Sequence, residues 1–127
     1  MKYVKKIKPF FIDDRGEMSH LIEDKVKIVS AILISSKKGS IRANHYHKKD
    51  SHYSYLLEGE MEYTYKNLKS KTVKKHTIIV KKGEMIYTPP MTAHAMEFTK
   101  DSVFIAFATE PRGHNDYEED LARYKLV

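Results

Sequence analysis

Apolar residues recur at every second position along most of this chain, and that period specifies strands rather than helices. It runs through VKIVSAILIS (Val26–Ser35), YSYLLEGEMEYTY (Tyr53–Tyr65), TVKKHTIIV (Thr72–Val80), EMIYT (Glu84–Thr88) and SVFIAFAT (Ser102–Thr109). These stretches are rich in the β-branched and aromatic residues that fit a pleated, half-buried surface. Turn formers separate them at Asp14-Arg15-Gly16, Lys38-Gly39, Glu58-Gly59, Asn67, Lys82-Gly83 and Pro89-Pro90. Only NDYEEDLARYKLV at the C-terminus looks helical, with Asn115 or Asp116 as an N-cap and acidic residues in the first turn. Short, evenly spaced strands in 127 residues imply one all-β domain over 1–127. The expected architecture is an antiparallel jelly-roll β-barrel with a short helical or irregular C-terminal tail.

Composition removes several function classes. No run approaches the ~18 apolar residues of a membrane helix. The basic start MKYVKKIKPFF meets Asp13 and Asp14 before any apolar segment develops, which argues against a signal peptide. The sequence has no cysteine, so disulfides and thiolate ligands are excluded, which suits the cytoplasm. Any metal must therefore be held by His, Asp or Glu. The net charge of +6 comes from lysine clusters at Lys2–Lys8 and Lys66–His76. Without interleaved aromatics for base stacking, these read as solvated surface rather than a nucleic-acid site. A basic protein still attracts anions, a nucleotide diphosphate among them.

The densest chemistry lies in NHYHKKDSHYSYLLEG, Asn44 to Gly59. Residues two apart on a strand share a face, so His45 and His47 point together and Tyr46 points away, as a packing or dimer residue. The polar turn KKDS then returns His52 toward them. His94, after Pro89-Pro90 and the small Thr92-Ala93 pair, opens a strand able to lie across the barrel. Converging neutral imidazoles suit one divalent transition metal: Fe, Mn, Ni, Cu or Zn. His20, His76 and His114 have no partner at ligand spacing and read as surface or satisfied residues.

These positions resemble the two cupin motifs. The first, G-x5-H-x-H-x4-E-x6-G, is met by Gly39, His45, His47, His52 and Gly59, with His in place of Glu. The second, G-x5-P-x-G-x2-H-x3-N, is met by Gly83, Pro89 and His94, with Met91 and Phe98 replacing its later Gly and its Asn. The resemblance implies His45, His47, His52 and His94 as metal ligands, in a softer site than His3Glu. The opening IKPFFIDDRGEMSHLIED is similar to that of nucleotide-sugar cupins, and Arg42, His45, His47, Lys48 and Lys49 match the R-x-x-H-x-H-K-K stretch of the 3,4-ketoisomerases. The cupin domain of capsular polysaccharide synthesis enzymes resembles NHYH and YTPPMTAH about as well. A tyrosine expected before the first motif is replaced around Ile32 and Leu33.

The function this implies is isomerisation or epimerisation of a nucleoside-diphosphate 4-keto-deoxysugar by proton transfer next to the carbonyl. His45 and His47 are the catalytic candidates, and Arg42, Lys48 and Lys49 the candidates for holding the substrate's diphosphate. Two other classes stay open: an iron-dependent dioxygenase of a small organic substrate, and a non-catalytic metal- or ligand-binding protein. A homodimer is expected, with the strand around Tyr3–Phe11 able to extend a neighbour's sheet.

Overall fold

The computed structural model describes residues 3–23, 25–111 and 119–127. Its strands are β1 (Val4–Lys6), β2 (Phe11–Asp13), β3 (Gly16–Met18), β4 (Ser30–Ser36), β5 (Ile41–His47), β6 (His52–Glu58), β7 (Glu60–Asn67), β8 (His76–Lys81), β9 (Glu84–Thr88), β10 (Thr92–Phe98), β11 (Ser102–Ala108) and β12 (Leu121–Arg123). One antiparallel sheet runs β1-β9-β6-β11-β4 and the second runs β12-β5-β10-β7-β8; β2 and β3 form a separate hairpin. Apart from the added strands β1 and β12, the strands from β4 to β11 alternate between the sheets except at the β7–β8 hairpin, in jelly-roll order.

The alternating pattern explains the core. Leu56, Ile86, Phe104 and Ala106 project from the first sheet and meet Met61, Tyr63, Val80, Met96 and Phe98 of the second. The tightest turn joins β6 to β7 at Gly59, whose φ of +96° favours glycine. A Cβ there would lie 2.5 Å from the Asp101 carbonyl and 2.7 Å from the Ser102 Cα.

One expectation changes in part. The C-terminal stretch expected to be helical has helical backbone at Glu119 and Asp120 and then turns into a strand: Leu121–Arg123 pair with β5, Leu121 opposite His47. Residues 112–118, including the expected N-cap and His114, lie outside the described residues. A helix this short is marginal in water, whereas the edge of β5 offers it a ladder of unpaired backbone groups. The segment then closes on Asn44, whose Oδ1 accepts the Leu126 and Val127 amides at 2.9 and 3.1 Å. The N-terminal strand pairs through Val4–Lys6 with β9 and forms one edge of the first sheet. Among the described residues no helix is long and apolar enough to cross a membrane.

Candidate active site

The site begins with an irregularity in β5. Strict alternation would set Arg42 on the face opposite His45 and His47. Ala43 and Asn44, however, both adopt left-handed conformations, with φ of 72° and 56°. Against β10 the register slips: His94 faces His45, Ala95 faces Ala43 and Met96 faces Arg42. This is a β-bulge, and one extra residue restores Arg42 to the histidine face. The opposite side of β5 carries Tyr46, which packs with Tyr124 beside Ala93, Ala95 and Leu126.

Four imidazoles from three strands therefore meet between the sheets. Ring centroids lie 4.9 Å apart for His45–His47, 4.8 Å for His45–His94, 5.4 Å for His47–His52 and 5.0 Å for His52–His94. All four are buried, at 2–7% exposure, which is unusual for histidine unless it is paired or liganded. Together with Ser54, Arg42, Ile34, Met96, Phe104 and Ala106 they line a cavity of about 150 Å³. An apolar cavity of that size takes a benzene molecule. The histidines and Ser54 supply its polar lining, Ile34, Met96, Phe104 and Ala106 supply hydrocarbon on the same two sheets, and Arg42 is its exposed member.

Hydrogen bonds fix the tautomers. His94 Nδ1 lies 3.0 Å from the Thr92 carbonyl oxygen, which only accepts, so Nδ1 carries the proton and Nε2 the lone pair. Burial first, then the neighbouring His52 and His45, hold the His94 pKa well below that of an exposed imidazole. It stays neutral, the form a metal ligand needs. His47 Nδ1 lies 3.1 Å from Asp120 Oδ2. The same carboxylate accepts the Lys49 amide at 2.7 Å and the Asp50 amide at 3.2 Å. Asp50, 2% exposed, faces His52 Nδ1 at 3.5 Å and accepts the Thr109 and Glu110 amides at 3.0 and 3.1 Å.

This donor set fits a divalent transition metal. Ligand atoms of His45, His47 and His94 lie within 4.8 Å of one another, as do those of His47, Asp50 and His52. The first is an all-nitrogen set, suited to Zn, Cu, Fe or Ni; carboxylate support of its histidines is the usual accompaniment.

The remaining sequence candidates fall in different places. Arg42 is held from below, Nε donating to Ser36 Oγ at 2.6 Å and Nη2 to the Ser35 carbonyl at 2.8 Å. Lys48 and Lys49 lie apart from the cavity, in a surface hollow with Glu110, Pro111, Glu119 and Asp120. His20 is exposed and stacks on Phe10 at 4.2 Å, and His76 is exposed on β8. The sequence reading missed Asp50, Asp120 and Ser54. The spacing of Ser54 from His52 signals a shared face, whereas Asp120 lies 73 residues from its histidine.

Fold and site together define a small jelly roll with a buried, imidazole-lined cavity the size of a single ring. The cupin domain family matches residues 33–109, more than half of the chain, and the protein belongs to that family. Comparison with curated proteins gives no match. Among solved structures, it is similar to a double mutant of the QdtA 3,4-ketoisomerase from Thermoanaerobacterium thermosaccharolyticum in complex with TDP, at 25% identity and a TM-score of 0.73, over 97% of this chain and 88% of that one. It is also similar to a dTDP-4-dehydrorhamnose 3,5-epimerase from Sulfolobus tokodaii, at 19% identity and a TM-score of 0.74, over 94% and 74% of the two chains. A 3,4-ketoisomerase from Helicobacter canadensis matches at 17% identity and a TM-score of 0.73, over 91% of each chain.

Proposed function

We propose that this cupin is an isomerase or epimerase of a nucleoside-diphosphate 4-keto-deoxysugar. The observation that carries the proposal is the cavity itself: room for one ring, a lining that combines four imidazoles with hydrocarbon, and a hydrogen-bonded arginine among its residues. A deoxygenated sugar edge matches the wall of Ile34, Met96, Phe104 and Ala106, while its oxygenated edge matches the histidines. The diphosphate, too large and too charged to enter, meets Arg42 outside, where a guanidinium preset by Ser35 and Ser36 offers its remaining N–H groups. The relative solved with TDP supports the same class of ligand.

The reaction needs a base for the acidified C–H next to the ketone, and a donor for the oxygen that becomes negative. His45 and His47 are proposed for the proton, and Asp120 stabilises the imidazolium that forms on His47. When bound, a transition metal polarises the carbonyl oxygen as a Lewis acid. An imidazole nitrogen bearing the transferred proton is not a ligand at that moment, so comparing metal-loaded with metal-stripped protein separates the two roles. The deciding experiment is anaerobic incubation with a 4-ketosugar nucleotide in deuterium oxide. Deuterium at the carbon beside the carbonyl is expected; none with any ketosugar tested refutes the proposal.

A second reading has one observation in its favour: His47, Asp50 and His52 form a two-histidine, one-carboxylate set, the donor type of non-haem iron oxygenases. Iron-dependent oxygen consumption would establish it.

A homodimer is proposed as well. The outward side of the first sheet carries Leu33, Ile105 and Tyr55 in one register row and Ala31, Phe107, Tyr53 and Tyr87 in the next. Leu33 is 68% exposed, and a second copy covering this row would bury it. A monomer by light scattering at micromolar concentration refutes this.

A further inference from the structure

Ser54 sits where the core pattern calls for a hydrocarbon. On β6 it follows His52 and precedes Leu56 on the inward face, opposite Ala106 of β11 and Ile86 of β9. It is 1% exposed, and its Oγ makes no hydrogen bond among the described residues. A buried hydroxyl in that condition costs free energy that alanine at the same place would not. Ser54 also lines the ring-sized cavity, beside the four histidines. An unpartnered hydroxyl on the wall of a binding cavity is explained by a ligand oxygen that completes it.

We infer that Ser54 is a substrate-positioning and specificity residue, its Oγ–H donating to an oxygen on the ring held against the histidines. This rests on the proposed function, since the ring is taken to be that of the nucleotide ketosugar. Histidines alone do not fix how a ring turns within the cavity. A hydroxyl beside His52, with Ala106, Phe104 and Ile34 alongside it on the same sheet, selects the rotation that places an oxygen at β6 and the deoxygenated edge over the neighbouring hydrocarbon. Ring isomers with no oxygen at that point would leave the hydroxyl bare and bind less well.

The test compares wild type with Ser54→Ala in three measurements. The ligand-free variant is expected to melt at the same or a higher temperature, because removing a bare buried hydroxyl relieves a cost; a lower melting temperature would mean the hydroxyl already has a partner, and would overturn the inference. By calorimetry, the nucleoside diphosphate without its sugar is expected to bind both proteins equally. The nucleotide ketosugar is expected to bind the variant about tenfold more weakly, equivalent to about 1.4 kcal/mol, with deuterium exchange slowed at least as much. Equal ketosugar affinity and exchange in the two proteins removes Ser54 from the site and leaves the proposed function standing. Absence of ketosugar binding by the wild type itself removes both.

Discussion

Replacing Asp120 separates structural support from site geometry. The carboxylate accepts two backbone amides, from Lys49 and Asp50, and holds His47 Nδ1–H at 3.1 Å. Its side chain is 12% exposed and that of His47 is 2% exposed. Hydrogen bonds to a charged acceptor contribute about 1.5–3 kcal/mol each, and water at the exposed edge replaces part of that after truncation. Asp120→Ala should therefore cost about 2–4 kcal/mol in all, a fall of roughly 6–15 °C in melting temperature for a domain of this size. Asp120→Asn is the sharper perturbation. Its amide can keep an oxygen toward the Lys49 N–H but then presents an N–H₂ to the Asp50 amide and to His47. Donor meets donor, and His47 is relieved by moving its proton to Nε2, which removes the lone pair a metal needs. Loss of such a supporting carboxylate lowers metal affinity by about 10–100-fold. Melting curves of the metal-free proteins and calorimetric titration with Zn(II) or Ni(II) measure the two effects. Unchanged metal affinity in both variants would refute the argument that Asp120 sets the tautomer of His47.

Three further outcomes are expected. His47→Ala should lose most of its metal, measured by elemental analysis, while its circular dichroism remains that of a β protein; full occupancy would dismiss the ligand assignment. Arg42→Ala should weaken nucleotide-sugar binding by about 1.5–3 kcal/mol, the worth of a charge-assisted hydrogen bond, with little change in metal content. Gly59→Ala should destabilise by about 3 kcal/mol or more, since strain at a positive φ adds to overlap with Asp101 and Ser102; a melting temperature within ~2 °C of wild type would contradict the contact geometry.

The central strands were legible because one face of each is buried and a sustained period of two differs from that of a helix. Glu84–Thr88 was read to the residue, and Ser102–Thr109 to within one. The start of β4 was placed at Val26 and lies at Ser30, since apolar residues before an edge strand look like the strand itself. The bulge was silent, because neither Ala43 nor Asn44 breaks the alternation while both turn left-handed. It was the bulge that put Arg42 beside the histidines. Met91 is a similar case: the motif glycine is absent, yet the backbone keeps a φ of 60°, so the turn survives a side chain that hides it. The four histidines were legible from spacing. Their carboxylate supports were not, since Asp120 reaches His47 only after β12 has docked.

The interleaving of strands between the two sheets has a consequence for how the molecule responds to its ligands. His45 and His47 lie on β5 and His94 on β10 of one sheet, while His52 lies on β6 of the other. No short segment of chain, folded alone, assembles all four, and the pairings that bring them together are non-local, a topology that folds in milliseconds to seconds rather than microseconds. Anything held by all four histidines therefore recognises only the completed native state. By mass action such a ligand at about a hundred times its dissociation constant adds about 2.7 kcal/mol to the unfolding free energy. The cavity then behaves as a clasp between the sheets, and occupancy becomes a lever on the lifetime of the fold as well as on its chemistry.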